Sequence, residues 1–291
     1  MNPNQASVTA ENNAALRTYE SMRQEAERIC NDPYAEYFLP ERFFSAENRK
    51  DKIGEIISDW DARFPGVTNS IIARTRYIDD CLQEALNADI HQLVILGAGY
   101  DTRALRFEAL RETATVFELD HPATQKAKLE RIKNHLEADL SHIRYVSIDF
   151  SKEDIAEKLV TSGYDDQLKT LFIWEGVTYY LPAQAVDRTL QFIRRHSAFQ
   201  SSVVFDYFPS TVVDGTTHLV EARALREGLK RIGEEIMFGI DPVQIAVFME
   251  DRGFYVVKNL SSTEYLHVYF KGPNATRNVS DMFLFCQAMV S

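Results

Sequence analysis

The chain has 291 residues, 45% of them hydrophobic, enough for one large core or two small ones. Its 32 basic and 43 acidic side chains leave a net charge of −11, which argues against a general nucleic-acid binder because phosphate recognition needs a basic face. No apolar run approaches the roughly 18 residues of a membrane span, and the polar N-terminus lacks the apolar stretch of a signal peptide. Cys30, Cys81 and Cys286 are far apart and without paired-ligand spacing, so they read as reduced thiols rather than a disulfide frame or a metal site. A cytoplasmic globular protein with no metal, no membrane and no nucleic-acid partner is expected.

The first 90 residues read as a helical N-terminal cap. Apolar positions at Leu16, Tyr19, Met22, Ala26 and Ile29 recur every three to four residues, which predicts a helix over Ala14–Ile29, broken by Asn31, Asp32 and Pro33. Further helices are expected near Ile53–Trp60 and Ile71–Leu86, and no strand pattern precedes His91. From there short apolar runs take over, at Leu93–Leu96, Thr115–Leu119, Ile143–Ile148, Thr170–Trp174, Ser202–Phe205, Tyr255–Val257 and Met282–Val290. Helical patterns separate the earlier runs, at Ala104–Leu110, Thr124–Leu136, Ala183–His196 and Pro242–Asp251. Such alternation predicts an α/β fold, a doubly wound, mostly parallel sheet of seven strands covered on both faces. The last two runs leave no room for a convincing helix between them, so they are expected to pair antiparallel, the last strand reversed. Residues 91–208 would form the core and 241–291 the C-terminal helix and strand pair of a single domain. Between them, Pro209–Gly239 carries a helical stripe (Leu219, Ala222, Leu225, Leu229, Ile232) and reads as a lid over residues 209–240, inserted above the carboxyl edge of the sheet.

Ligands of open α/β sheets bind beyond the carboxyl ends of the strands, so the residues ending each strand carry most weight. The first strand runs into Gly97-Ala98-Gly99, a turn that allows close backbone approach; an ordinary strand-to-helix turn reads the same way. A dinucleotide fingerprint wants a third glycine where Thr102 stands, which disfavours pyrophosphate. Asp120 ends the second strand 21 residues past Gly99, a spacing that suits a carboxylate on a ribose diol, with Glu118 on the same strand face. Asp149 and Phe150 end the third strand as an acceptor and an aromatic wall for adenine, although Asp149 or Ser151 also suits a helix N-cap. Glu175 ends the fourth, placed for a ligand's ammonium or positive centre, and Tyr179 and Tyr180 follow it. The set suits a ligand with ribose, adenine and an amino acid but no phosphate.

These segments, ARTRYIDD (73–80), LGAGYDTRALRF (96–107), FELDHPATQKAK (117–128), IDF (148–150) and WEGVTYYL (174–181), with NDPYAEYF (31–38), resemble the leucine carboxyl methyltransferase-like family of class I S-adenosylmethionine-dependent methyltransferases, in its bacterial O-methyltransferase form. The resemblance spans roughly residues 14 to 200 and implies S-adenosyl-L-methionine as cofactor, in a Rossmann-like class I fold. It implies that Arg74 grips the cofactor's carboxylate, that Gly97 and Gly99 lie beneath its methionine portion, and that Asp120 holds its ribose. It further implies that Asp149 and Phe150 contact adenine and that Glu175 lies near the methionine amino group. Arg76 competes with Arg74, since the two point to different helix faces.

The implied reaction is in-line methyl transfer, without a metal, to a carboxylate or hydroxyl of a small-molecule acceptor. A carboxylate, with pKa about 4, needs only orientation, whereas a phenol, with pKa about 10, gains from a base, for which His267 and His218 are candidates. Tyr179 and Tyr207 are the catalytic candidates for positioning the acceptor, each equally readable as a packing residue. Carboxyl methylation of a protein C-terminus and a non-catalytic cofactor-binding module are the alternatives. A nicotinamide-dependent reductase is disfavoured, because no Y-x-x-x-K relay follows Tyr179 or Tyr180.

Overall fold

Each short apolar run becomes a strand: β1 Gln92–Leu96, β2 Thr115–Asp120, β3 Ile143–Ser147, β4 Thr170–Trp174, β5 Ser202–Tyr207, β6 Phe254–Leu260 and β7 Leu284–Val290. The computed structural model describes residues 7–40, 48–137, 139–150, 152–231 and 233–291. The seven strands form one sheet in the order β3-β2-β1-β4-β5-β7-β6. Strands β1 to β5 pair in parallel, while β7 lies antiparallel between β5 and β6. The chain reverses its direction of progress between β1 and β4, which is where such sheets open a crevice.

The helices are α1 Val8–Ser21, α2 Arg49–Arg63, α3 Val67–Asn87, α4 Arg103–Arg106, α5 Ala109–Thr113, α6 Pro122–His135, α7 Ile155–Thr161, α8 Ala183–Arg195, α9 Ser210–Asp214, α10 Val220–Arg231, α11 Ile245–Glu250 and α12 Ser262–Tyr269. Alternate residues of β1 serve opposite cores. Leu93 and Ile95 pack with α3 residues such as Ile72 and Ile78, whereas Val94 and Leu96 pack with Leu159 of α7 and Leu190 of α8. Burial on both faces is what makes the parallel strands read as unbroken apolar runs.

Three expectations need correction. The helix predicted over Ala14–Ile29 begins earlier and stops at Ser21, because the side chains at its end turn the chain back. Glu20 accepts the Ile29 amide at 2.7 Å, and the Ser21 hydroxyl accepts the Asp32 amide at 2.7 Å. These bonds replace the helical continuation that the apolar spacing alone favours. The stretch Ala104–Leu110 is split between α4 and α5 at Phe107. The link between β6 and β7 does hold a helix, α12, entered through a capping box in which Ser261 and Glu264 satisfy each other's backbone amides. Its buried Tyr265 stacks on Phe285 with ring centroids 4.6 Å apart, so one anchoring aromatic suffices where a long apolar stripe is absent.

After β5 the 209–240 segment rises through α9 and α10 and returns to the carboxyl edge of the sheet. There the Met237 amide donates to the Tyr179 carbonyl at 2.8 Å and the Ile240 amide to the Phe208 carbonyl at 2.9 Å. Ile232, part of the stripe read from the sequence, lies outside the described residues, as does Ser151. Among the described residues no helix is long and apolar enough to cross a membrane.

One ion pair sits inside the layer between β2 and α6. Lys128 Nζ meets Glu118 Oε2 at 2.6 Å, the two side chains 2% and 3% exposed. Glu118 therefore faces α6, and the pair ties that helix to the strand that ends in Asp120. Removing one partner strands a charge in the core. Lys128→Ala is expected to lower unfolding stability by about 3–5 kcal/mol in denaturant titration, and the double change Glu118→Leu with Lys128→Met by clearly less. Equal losses would show that the charge pairing is not what these side chains contribute.

Candidate active site

A cavity of about 710 Å³ opens at the carboxyl ends of β1, β2 and β4, beside the switch point. Its floor is the turn after β1. Gly97 has φ +72°, and a Cβ there would stand 2.5 Å from Val177 Cγ2, so glycine is required for both backbone angle and space. The Gly97 and Ala98 amides donate to the Leu119 carbonyl at 2.9 Å each, which holds the turn against the end of β2. Gly99 donates its amide to Asp120 Oδ2, and the His121 amide donates to Asp120 Oδ1 at 2.5 Å. Burial raises the Asp120 carboxyl and these two amides oppose the rise. Each oxygen keeps a further lone pair for a ligand diol.

Glu175 occupies the end of β4, held between two arginines. Its Oε1 accepts from Arg74 Nε at 3.0 Å and its Oε2 from Arg103 Nη1 at 2.7 Å. Burial alone would favour the neutral acid, but Arg103 and Arg74 outweigh it and hold the Glu175 carboxyl at about 2. Because that value lies below the usual one, the pairing stabilises the fold above the ordinary glutamate range and its contribution is lost as pH falls through about 2. Arg74, only 2% exposed, also donates from Nη1 to Asp206 Oδ2 at 2.8 Å and to the Tyr179 hydroxyl at 3.2 Å. Arg103 continues the network from Nε to Asp79 at 2.7 Å and from Nη1 to Asp101, and Arg106 adds Nη1 to Asp79 at 2.8 Å.

Arg74, Gly97, Gly99, Asp120, Asp149, Phe150 and Glu175 all line the one cavity. Of the two competing arginines, Arg74 faces in, whereas Arg76 lies on the outer face of α3, paired with Asp80 at 2.8 Å. Asp149 does not cap α7. That helix starts at Ile155 with Asp154 as its cap, and the Asp149 carboxylate meets Lys152 at 2.8 Å. Phe150 lies at the rim, packed against the core under α7 and α8.

The tyrosines require a correction. Tyr207 follows Asp206 on β5, so its side chain takes the opposite sheet face and donates its hydroxyl to Asn259 Oδ1 at 3.1 Å, outside the cavity wall. Tyr179 is buried behind the wall, stacked on Phe208 at 3.9 Å and bonded to Arg74. Burial, with Asp206 beside it, pushes its hydroxyl well above the usual range, so it stays protonated and supports Arg74 rather than touching an acceptor. Tyr180, like Tyr100, does line the cavity. His218 and His267 do not line it.

Sequence reasoning missed Arg17, Arg103 and Glu234. Arg17 reaches from α1 to the Tyr100 carbonyl at 2.6 Å and to Asp32 at 2.8 Å, closing one side. Arg103 stood inside the quoted GYDTR segment, and its position two residues after Asp101 was the available signal. Glu234 lies in the 209–240 segment, where no motif marks it.

A parallel sheet with a reversed last strand, carrying a cavity lined by acids at successive strand ends over a glycine turn, defines a class I S-adenosylmethionine-dependent methyltransferase. Residues 10–194 match the model of the family described as leucine carboxyl methyltransferase. The chain is 28% identical over 288 residues to "Putative S-adenosyl-L-methionine-dependent methyltransferase YktD" of Bacillus subtilis, with 93% of each chain covered. A protein of Mycolicibacterium gilvum with the same descriptive name is 34% identical over 233 residues, covering 79% of this chain and 74% of its own. The crystal structure of "a putative methyltransferase from Thermobifida fusca" superposes with a TM-score of 0.62 at 15% identity, covering 99% of this chain and 96% of its own, and shares the fold. The chain belongs to the leucine carboxyl methyltransferase family, and its cofactor is S-adenosyl-L-methionine.

The residues present fit that cofactor: Gly97 admits no side chain, Asp120 keeps acceptor capacity, and Glu175 is held ionised. Asp120→Ala is expected to weaken S-adenosylhomocysteine binding by about 1–3 kcal/mol in calorimetry, the loss of a charge-assisted hydrogen-bond partner. Unchanged affinity would remove Asp120 from the ribose role. In the same assay Arg74→Ala is expected to reduce affinity more than Arg76→Ala, and the reverse ranking would exchange their roles.

Proposed function

We propose that the chain transfers a methyl group to an oxygen, carboxylate or hydroxyl, of a small-molecule acceptor, without a metal ion. The observation that carries this reading is one shared cavity. Beside the residues assigned to the cofactor, a second wall of Ser7, Thr9, Asn13, Tyr180, Glu234 and Met237 faces the same space. That wall comes from α1, from Tyr180 after β4 and from the segment that follows α10.

When bound, S-adenosylmethionine supplies a methyl already activated by the positive sulfur. The protein's work is then alignment and exclusion of water. Asp120 holds the cofactor's ribose, Asp149 and Phe150 meet its adenine, and the Gly97–Gly99 turn lies beneath its methionine portion. Glu175, ionised between Arg74 and Arg103, fixes the amino-acid end. The wall of α1 and residues 233–237 orients the acceptor and keeps water away.

Incubation of the protein with methyl-labelled S-adenosylmethionine and a cell extract, followed by size separation, tests this reading. Label is expected in the small-molecule fraction, in a product whose mass spectrum places the methyl on oxygen. Label in protein, released as a C-terminal ester, would replace the proposal with carboxyl methylation of a chain terminus. Binding of cofactor without any transfer would leave a non-catalytic module.

A further inference from the structure

The charges around the cavity are unevenly matched. Its arginines and its lysine are paired with carboxylates: Arg17 with Asp32, Arg74 with Glu175 and Asp206, Arg103 with Asp79, Asp101 and Glu175, Arg106 with Asp79, and Lys152 with Asp149. Glu234 stands on the acceptor wall, half-buried, and among the described residues no basic side chain pairs with it. Its partner is Thr9, whose hydroxyl donates to Glu234 Oε2 at 2.5 Å. Thr9 also interacts with the Tyr180 hydroxyl.

From this arrangement we infer that Glu234, with Thr9 and Tyr180, forms the acceptor subsite, that the acceptor is a neutral hydroxyl compound rather than a carboxylate, and that Glu234 takes its proton. The inference rests on the proposed transfer to oxygen and narrows it. A carboxylate entering here would meet the Glu234 charge and find the arginines already compensated, whereas a hydroxyl meets an acceptor with free lone pairs. In the transfer step the acceptor oxygen forms the new O–C bond while the methyl–sulfur bond breaks, its electron pair remaining on sulfur. The hydroxyl proton becomes strongly acidic as that bond forms and passes to a Glu234 oxygen, which later returns it to water. A carboxylate is base enough for a proton that loosens only during attack.

The experiment uses phenol, benzoate and aniline probes that share one ring, the full-length protein, and the variants Glu234→Gln and Thr9→Val. Calorimetry first confirms that S-adenosylhomocysteine binds both variants as it binds the wild type, which separates a lost base from a lost fold. Methyl transfer to the phenol is then expected to fall about 100-fold in kcat in Glu234→Gln and less in Thr9→Val. Benzoate is expected to bind the S-adenosylhomocysteine complex of Glu234→Gln about tenfold more tightly than that of the wild type, a readout that needs no turnover. Equal benzoate affinity, benzoate methylation by the wild type, or an unchanged kcat on the phenol would overturn the inference while leaving transfer to oxygen intact. Transfer to the aniline alone would instead overturn the oxygen reading beneath it.

Discussion

The site depends on one carboxylate shared by two buried arginines. Glu175 is 14% exposed, yet it is fully ionised because Arg74 and Arg103 approach it from opposite sides at 3.0 and 2.7 Å. Arg74 comes from α3 and Arg103 from α4, while Asp206, the other anion on Arg74, ends β5 next to β4. One network thus fixes the N-terminal helical region, the helix after the glycine turn and two central strands relative to one another. Pairs of this kind gain little over apolar packing but cost heavily when one member is lost, so they set geometry more than stability. Here the geometry they set is that of the cavity wall at the end of β4.

The sheet was legible because burial on both faces turns each parallel strand into a continuous apolar run, and all seven runs became strands. Helix ends were less legible. Residues 22–29 carry a helical apolar spacing, but Glu20 and Ser21 bind the chain beyond them, and side-chain bonds made at a distance in sequence leave no periodicity. Helix α12 went unseen for the opposite reason, being short and fixed by a capping box and one aromatic.

At the site, the residues at strand ends could be read because topology alone puts them around one crevice. Arg74 could be placed only through family resemblance, since a helix-borne arginine looks the same whether it faces solvent or a buried acid. Tyr207 failed on parity: one position past Asp206 on β5, it faces the other way. Glu234 could not be found from sequence at all. Its meaning comes from Thr9, 225 positions away, and from having no basic partner among the described residues, neither of which has a local signature.

The measurement that bears most directly on this picture is calorimetric titration of the purified protein with S-adenosylhomocysteine, with NAD as the parallel ligand. A cavity built on Asp120, the Gly97–Gly99 turn and Glu175 predicts saturable binding of S-adenosylhomocysteine at one site per chain and no heat from NAD. Binding of NAD in place of S-adenosylhomocysteine would contradict it, because Asp120 would then serve a dehydrogenase ribose and the arginine-held Glu175 would have no cofactor amino acid to meet.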